Sequence, residues 1–94
     1  MPLYWLAYRE DRVARVLIVE ADALAMARFK ADVAVPGMNK HFEEGHELEP
    51  THAALVPQKM IGRTLSPVDA SRLIARFERA ERRGTKQKPR PKGV

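Results

Sequence analysis

Ninety-four residues with no cysteine and a net charge of +5 make one domain at most and exclude disulfides, thiol catalysis, iron–sulfur clusters and cysteine-based zinc sites. A chain this short buries only about 60–65% of its unfolded surface, so self-association is a reasonable source of extra buried area. The basic excess is local: Thr85 to Val94 holds Lys86, Lys88, Arg90 and Lys92 with no acid, while Glu43, Glu44, Glu47 and Glu49 gather in the middle of the chain.

The start, Met1-Pro2-Leu3-Tyr4-Trp5, has no basic region before its apolar residues, and the longest aliphatic run is Val16 to Val19. The expectation is a cytoplasmic protein with no signal peptide and no membrane span.

Leu3 to Arg9 alternates Leu3, Trp5 and Ala7 with Tyr4, Leu6 and Tyr8, and its aromatic residues favour a strand. Glu10-Asp11-Arg12 is a polar break. Without glycine, it reads as a connection slightly longer than a tight primed turn. Val13 to Glu20 follows as the second strand of an antiparallel hairpin. Ala14, Val16 and Ile18 point to one side of it and Val13, Leu17 and Val19 to the other. A strand apolar on both faces has to be covered on both.

Asp22 is placed to cap a helix over Ala23 to Ala34. Met26, Phe29 and Val33 fall on one face at 100° per residue, extended by Ala23, Leu24, Ala27 and Ala31, with Arg28, Asp32 and Ala25 opposite. This apolar face is expected on the sheet, with Lys30 reaching out of it. Pro36-Gly37 ends the helix. His41 to Leu48 reads as a weak third strand with Phe42, Glu44, His46 and Leu48 on one side. Its charge suits a sheet edge. Thr51 to Val56 reads as a short helix and Gln58 to Leu65 as a loop or short strand. Ser66-Pro67-Val68-Asp69 is a strong helix start, with a serine cap and proline at the first helical position. The helix runs to about Arg83, with Gly84 as its stop, burying Ala70, Leu73, Ile74, Phe77 and Ala80.

The fold class expected is α+β: an N-terminal antiparallel β-hairpin followed by a helix, a weak third strand, a short helix and a long C-terminal helix (ββαβαα). Residues 1–84 form the domain and 85–94 a basic, disordered tail. The two long helices either cover opposite faces of the sheet or share one face and leave the other to a second molecule.

The run Phe42-Glu43-Glu44-Gly45-His46-Glu47-Leu48-Glu49, followed by Met60-Ile61-Gly62-Arg63-Thr64-Leu65-Ser66, resembles a group of small bacterial proteins of uncharacterised function. That group also begins with a strand containing Tyr-Trp and has a Glu-Ala element before an alanine-rich helix. The resemblance covers most of residues 3 to 75 and implies no activity and no site residues.

Chemistry-bearing patterns are few. Arg72, Arg76, Arg79 and Arg83 fall within roughly 60° on the helical wheel. They form a stripe that leads into Lys86, Lys88, Arg90 and Lys92. Arginine forks suit phosphate, so these eight residues are the candidate anion or nucleic-acid contacts. No zinc finger, helix-turn-helix or aromatic RNA-binding strand accompanies them, so binding would be largely non-specific. The four glutamates are candidate partners for the stripe, within one chain or between two. His41, His46 and His52 have no spacing typical of metal ligands. Ser66 and Ser71 lie in no nucleophile elbow. Gly62 to Ser66 reads as an ordinary turn ahead of a capped helix, though a helix N-terminus can hold an anion. The expectation is therefore a non-enzymatic interaction module without cofactor, with a protein partner or a second copy of itself. Nucleic-acid binding through the arginine stripe and the tail is the alternative.

Overall fold

Alternation along the first two strands sends successive side chains to opposite faces, and both faces are apolar. In the computed structural model, which describes residues 1–87 and side chains through residue 82, β1 (Leu3–Glu10) and β2 (Val13–Glu20) pair antiparallel from Leu3↔Glu20 to Glu10↔Val13. They form the centre of a four-stranded sheet in the order β3-β1-β2-β4, with β3 at Phe42–Glu47 and β4 at Thr64–Leu65. The α+β class, the N-terminal hairpin and the long C-terminal helix are as the sequence implies. The short β4, paired to Val16 and Leu17, completes the edge beside β2.

The connection between β1 and β2 is tighter than expected. Asp11 and Arg12 both take positive φ, 50° and 70°, and Glu10 pairs directly with Val13. This is a two-residue primed turn made without glycine. Its twist matches that of the strands, which offsets the roughly 1–2 kcal/mol per residue that left-handed backbone costs a side-chain-bearing residue.

Both sheet faces are covered within one chain. Leu3, Trp5, Val16 and Ile18 pack against Leu65 of β4 and Ala70, Leu73 and Phe77 of α3 (Pro67–Gln87), together with Leu48 and Val56. Tyr4, Leu6, Tyr8, Leu17 and Val19 pack against Ala27 and Ala31 of α1 (Leu24–Ala34), with Ala21 and Met38. The molecule thus has three layers, α1 on one face and α3 on the other. Leu17 and Val19 are buried, so a dimer through a bare sheet face is ruled out.

The face that α1 turns to the sheet corrects the sequence reading. Ala27 and Ala31 are fully buried, but Met26, Phe29 and Val33 are 48, 63 and 65% exposed and Leu24 36%. Alanines let the helix axis come close to the sheet, and the bulky residues are left on its outer side. Arg28 and Asp32, expected outside, are half-buried: Arg28 lies over the Phe42 ring at 4.1 Å and donates to Asn39 Oδ1, and Asp32 accepts the Gly37 N–H. Lys30 reaches out as expected and donates to the Glu20 carbonyl at 2.7 Å. The N-cap is Ala23, with no side-chain cap from Asp22.

Strand β3 lies at an edge, in keeping with its charge. Tyr8 pairs with Phe42 and Ala7 with Glu44, so Glu43 is the extra residue of a bulge. That extra residue turns Phe42 onto the α1 face, where its ring meets Tyr8 edge-on. His46 and Leu48 face α3 instead, so the single face expected for Phe42, Glu44, His46 and Leu48 is broken at the bulge. Gly45 sits under the α1 side. A Cβ there would stand 2.7 Å from Leu6 Cδ2 and 3.0 Å from Leu24 Cδ1.

Three boundaries also move. The short helix α2 is Pro50–Ala53, opening one residue earlier on its proline and ending before Val56. Ile74, expected in the core, is 43% exposed. Helix α3 continues through Gly84 to Gln87, because one glycine costs only about 1 kcal/mol in a helix of good formers. Residues 88–94, with most of the expected disordered tail, lie outside the described residues. Among the described residues no helix is long and apolar enough to cross a membrane.

The Tyr8 hydroxyl is buried and has no hydrogen-bond partner among the described residues. Burial raises its pKa above the ordinary value near 10. The Arg28 charge opposes that shift and the Asp32 charge adds to it. The native state therefore holds the phenol proton more tightly than the unfolded chain. This contribution is fully present below about pH 10 and is lost as pH rises through the raised native value. Tyr8→Phe is expected to remove that alkaline loss and to leave stability at pH 7 unchanged or raised by up to about 1 kcal/mol, as read by denaturant melts at the two pH values. A Tyr8→Phe protein less stable at pH 7 would show that the hydroxyl is satisfied.

Candidate functional site

Helix α3 is fixed at its start by Ser66. The Asp69 N–H donates to Ser66 Oγ at 3.1 Å, and the Ala70 N–H to the Ser66 carbonyl at 2.9 Å. Pro67 takes the first helical position, as the sequence implies. Ser66 is thus occupied as a cap. Burial of Ala70, Leu73 and Phe77 sets the rotation of the helix about its axis, and that rotation carries Arg72, Arg76 and Arg79 to one flank.

The flank is a groove, not an open stripe. A short 3-10 turn over Gln58–Met60 faces it, and the space between is about 570 Å³. Lys59 stands on the turn side, opposite Arg72, Arg76 and Arg79, with Pro57 and Met60 as an apolar wall. Arg76 Nη1 donates to the Leu55 carbonyl at 3.2 Å, which ties the helix to the segment after α2. Among the described residues, Asp69 is the one carboxylate lining the groove. The Arg63 guanidinium donates to the Lys59 carbonyl and steadies the turn.

The structure brings together three of the eight residues expected to contact an anion. The backbone places Arg83 and Lys86 on the same helix, with side chains beyond those described; Lys88, Arg90 and Lys92 lie outside the described residues. Lys59 and the 57–60 turn were not legible as part of the site. Their only signal was a lysine in a loop after Pro57. The expected glutamate partners are elsewhere: Glu43 pairs with Arg9 at 2.9 Å, and no ion pair among the described residues joins the acidic cluster to the stripe.

The histidines separate. His41 Nε2 lies 3.8 Å from Glu10 Oε2. His46 and His52 line a cavity of about 240 Å³ closed by Trp5, Leu48, Ile74 and Phe77. His52 stacks on Phe77 at 4.5 Å, and Trp5 meets the same ring edge-on at 5.9 Å. His52 Nε2 is 3.1 Å from Glu81 Oε2. No group of three His, Asp or Glu side chains among the described residues is arranged to hold a metal ion.

The second surface is the outer side of α1. Met26, Phe29 and Val33 lie one above another at spacings of three and four residues. Their exposed fractions amount to an apolar patch on the order of 300 Å², a size at which patches on small proteins are often functional. Comparison with family models, curated proteins and solved structures finds no match.

Proposed function

We propose that the chain is a non-enzymatic interaction module that pairs with a second copy of itself through the outer face of α1. The observation that carries this reading is the exposure of Met26, Phe29 and Val33 in one stripe. The stripe is self-complementary. When two α1 helices cross antiparallel about Phe29, Met26 of one copy meets Val33 of the other, a flexible side chain against a β-branched one. A two-fold contact of this kind closes on itself and forms no filament.

Energetics point the same way. The α1 face of the sheet is covered by alanines and Met38, a thin layer for a chain with so little core. A second copy pressed on Phe29 would thicken it. The apolar patch is smaller than the roughly 800 Å² per partner of a standard interface, so the pair is expected to be weak, on the order of micromolar.

Light scattering over a concentration series tests this. Mass is expected to rise from 10.7 kDa towards twice that value. Phe29→Glu should hold the chain at the monomer mass with an unchanged circular dichroism spectrum. A wild-type chain that stays monomeric into the high micromolar range overturns the proposal.

A further inference from the structure

The α3 groove lies on the opposite side of the sheet from α1, so pairing through Phe29 leaves it open. Its charge is uncompensated: no ion pair among the described residues reaches Lys59, Arg72, Arg76 or Arg79, and Asp69 alone opposes them. Cations of one sign in a concave surface concentrate the field and draw a polyanion.

The row of cations suits a polyanion whose charges repeat along a line. From Arg72 to Arg79 the helix axis advances about 10 Å. A nucleic-acid strand running along this flank places about two to three phosphates within reach of the arginines, and guanidinium forks suit phosphate oxygens. Lys59 closes on the same backbone from the facing wall. Among the described residues the lining offers no aromatic side chain on which to stack a base. In the sequence, residues 85–94 hold Lys86, Lys88, Arg90 and Lys92 and no acid. We propose that the groove between α3 and the 57–60 turn holds one backbone strand of a nucleic acid through its phosphates.

Fluorescence anisotropy of the full chain with a labelled mixed-sequence duplex, and with one of its single strands, tests the inference. Between about 50 and 200 mM salt the duplex affinity should fall steeply, with about −0.9 of log–log slope for each phosphate contact. Arg72→Glu combined with Arg79→Glu should weaken binding at least tenfold at the lower salt and reduce the magnitude of the slope by about two. Arg76 is left alone because it holds the Leu55 carbonyl. Lys59→Glu, on a different element, should reproduce the direction of the loss, which keeps the test valid if the double variant misfolds.

Neutralising the tail with Lys88→Gln, Arg90→Gln and Lys92→Gln should leave the groove's share of binding in place. The duplex and the single strand separate the two forms of the shared backbone chemistry by which is bound more tightly. Wild-type affinity in both groove variants overturns the inference, and so does complete loss of binding on tail neutralisation. A groove that binds polyglutamate and neither oligonucleotide would assign it to an acidic protein instead. The inference stands apart from self-association: monomeric Phe29→Glu is expected to bind with the wild-type slope.

Discussion

Replacing Trp5 by alanine is expected to destabilise the protein by about 3–5 kcal/mol, the range for removing a buried aromatic side chain. A chain of this length has a total stability of roughly 5–14 kcal/mol, so the loss is about a fifth of it or more. Trp5 lies on the α3 face, between Ile18 of β2 and His46 of β3 in the sheet register, with its ring edge-on to Phe77. Together with Leu3, Val16 and Ile18 it packs against Ala70, Leu73 and Phe77 of α3. The void left behind would join the 240 Å³ cavity that Trp5 already borders, and His52 would lose the shared packing that keeps it stacked on Phe77.

The thermal midpoint should fall by roughly 12–40 °C, at about 4–8 °C for each kcal/mol in a domain of this size. Ile74→Ala is the matched control, because Ile74 borders the same cavity but is largely outside the core. It should cost about 1 kcal/mol or less. Equal losses in the two variants would show that α3 is not anchored on Trp5. Calorimetry of both proteins decides it.

What could be read from the sequence was whatever depended on local pattern. Val13 to Glu20 is apolar on alternate sides, and both sides are covered as that pattern demands. Ser66 and Pro67 start a helix because a hydroxyl and a missing N–H suit the first turn. The arginine stripe follows from 3.6 residues per turn alone. What could not be read depended on the distance between elements. The wheel of α1 holds both a bulky apolar stripe and an alanine stripe, and hydrophobicity favours the bulky one. The sheet takes the alanines because a close approach buries more of Leu17, Tyr8 and Leu6 than a helix propped on Phe29 could. The bulge at Glu43 and the positive φ of Asp11 and Arg12 are likewise settled by pairing of β1 with its neighbours, which overrides the preferences of single residues. Lys59 belongs to the groove only because the 57–60 turn folds back towards α3, a contact between segments more than ten residues apart.

The same logic separates two surfaces that composition would merge. The apolar excess is on α1 and the basic excess on α3, with the sheet between them. A change on either outer surface should leave the other intact, because α1 and α3 pack on opposite faces of the sheet, and effects at such separated sites generally add.

Leu17→Asp should have the largest effect of all: no cooperatively folded protein at neutral pH. Leu17 is fully buried in the middle of β2, with Leu6 opposite it on β1, and it packs among the group covered by Ala27 and Ala31. Losing the leucine alone costs about 2–5 kcal/mol. An aspartate there also has no cation among its apolar neighbours, and a buried charge without a partner costs several kcal/mol more or forces the carboxyl to stay protonated. Together these reach the whole stability of the chain. Val13→Asp, on the same side of the same strand but at its exposed end, should be tolerated within about 0.5 kcal/mol. Dispersed amide resonances in a two-dimensional NMR spectrum of Leu17→Asp would mean that the α1 layer is loosely held and that the sheet can stand with one face uncovered. Collapse of dispersion in that variant, with Val13→Asp unchanged, would establish that β2 needs cover on both faces within a single chain.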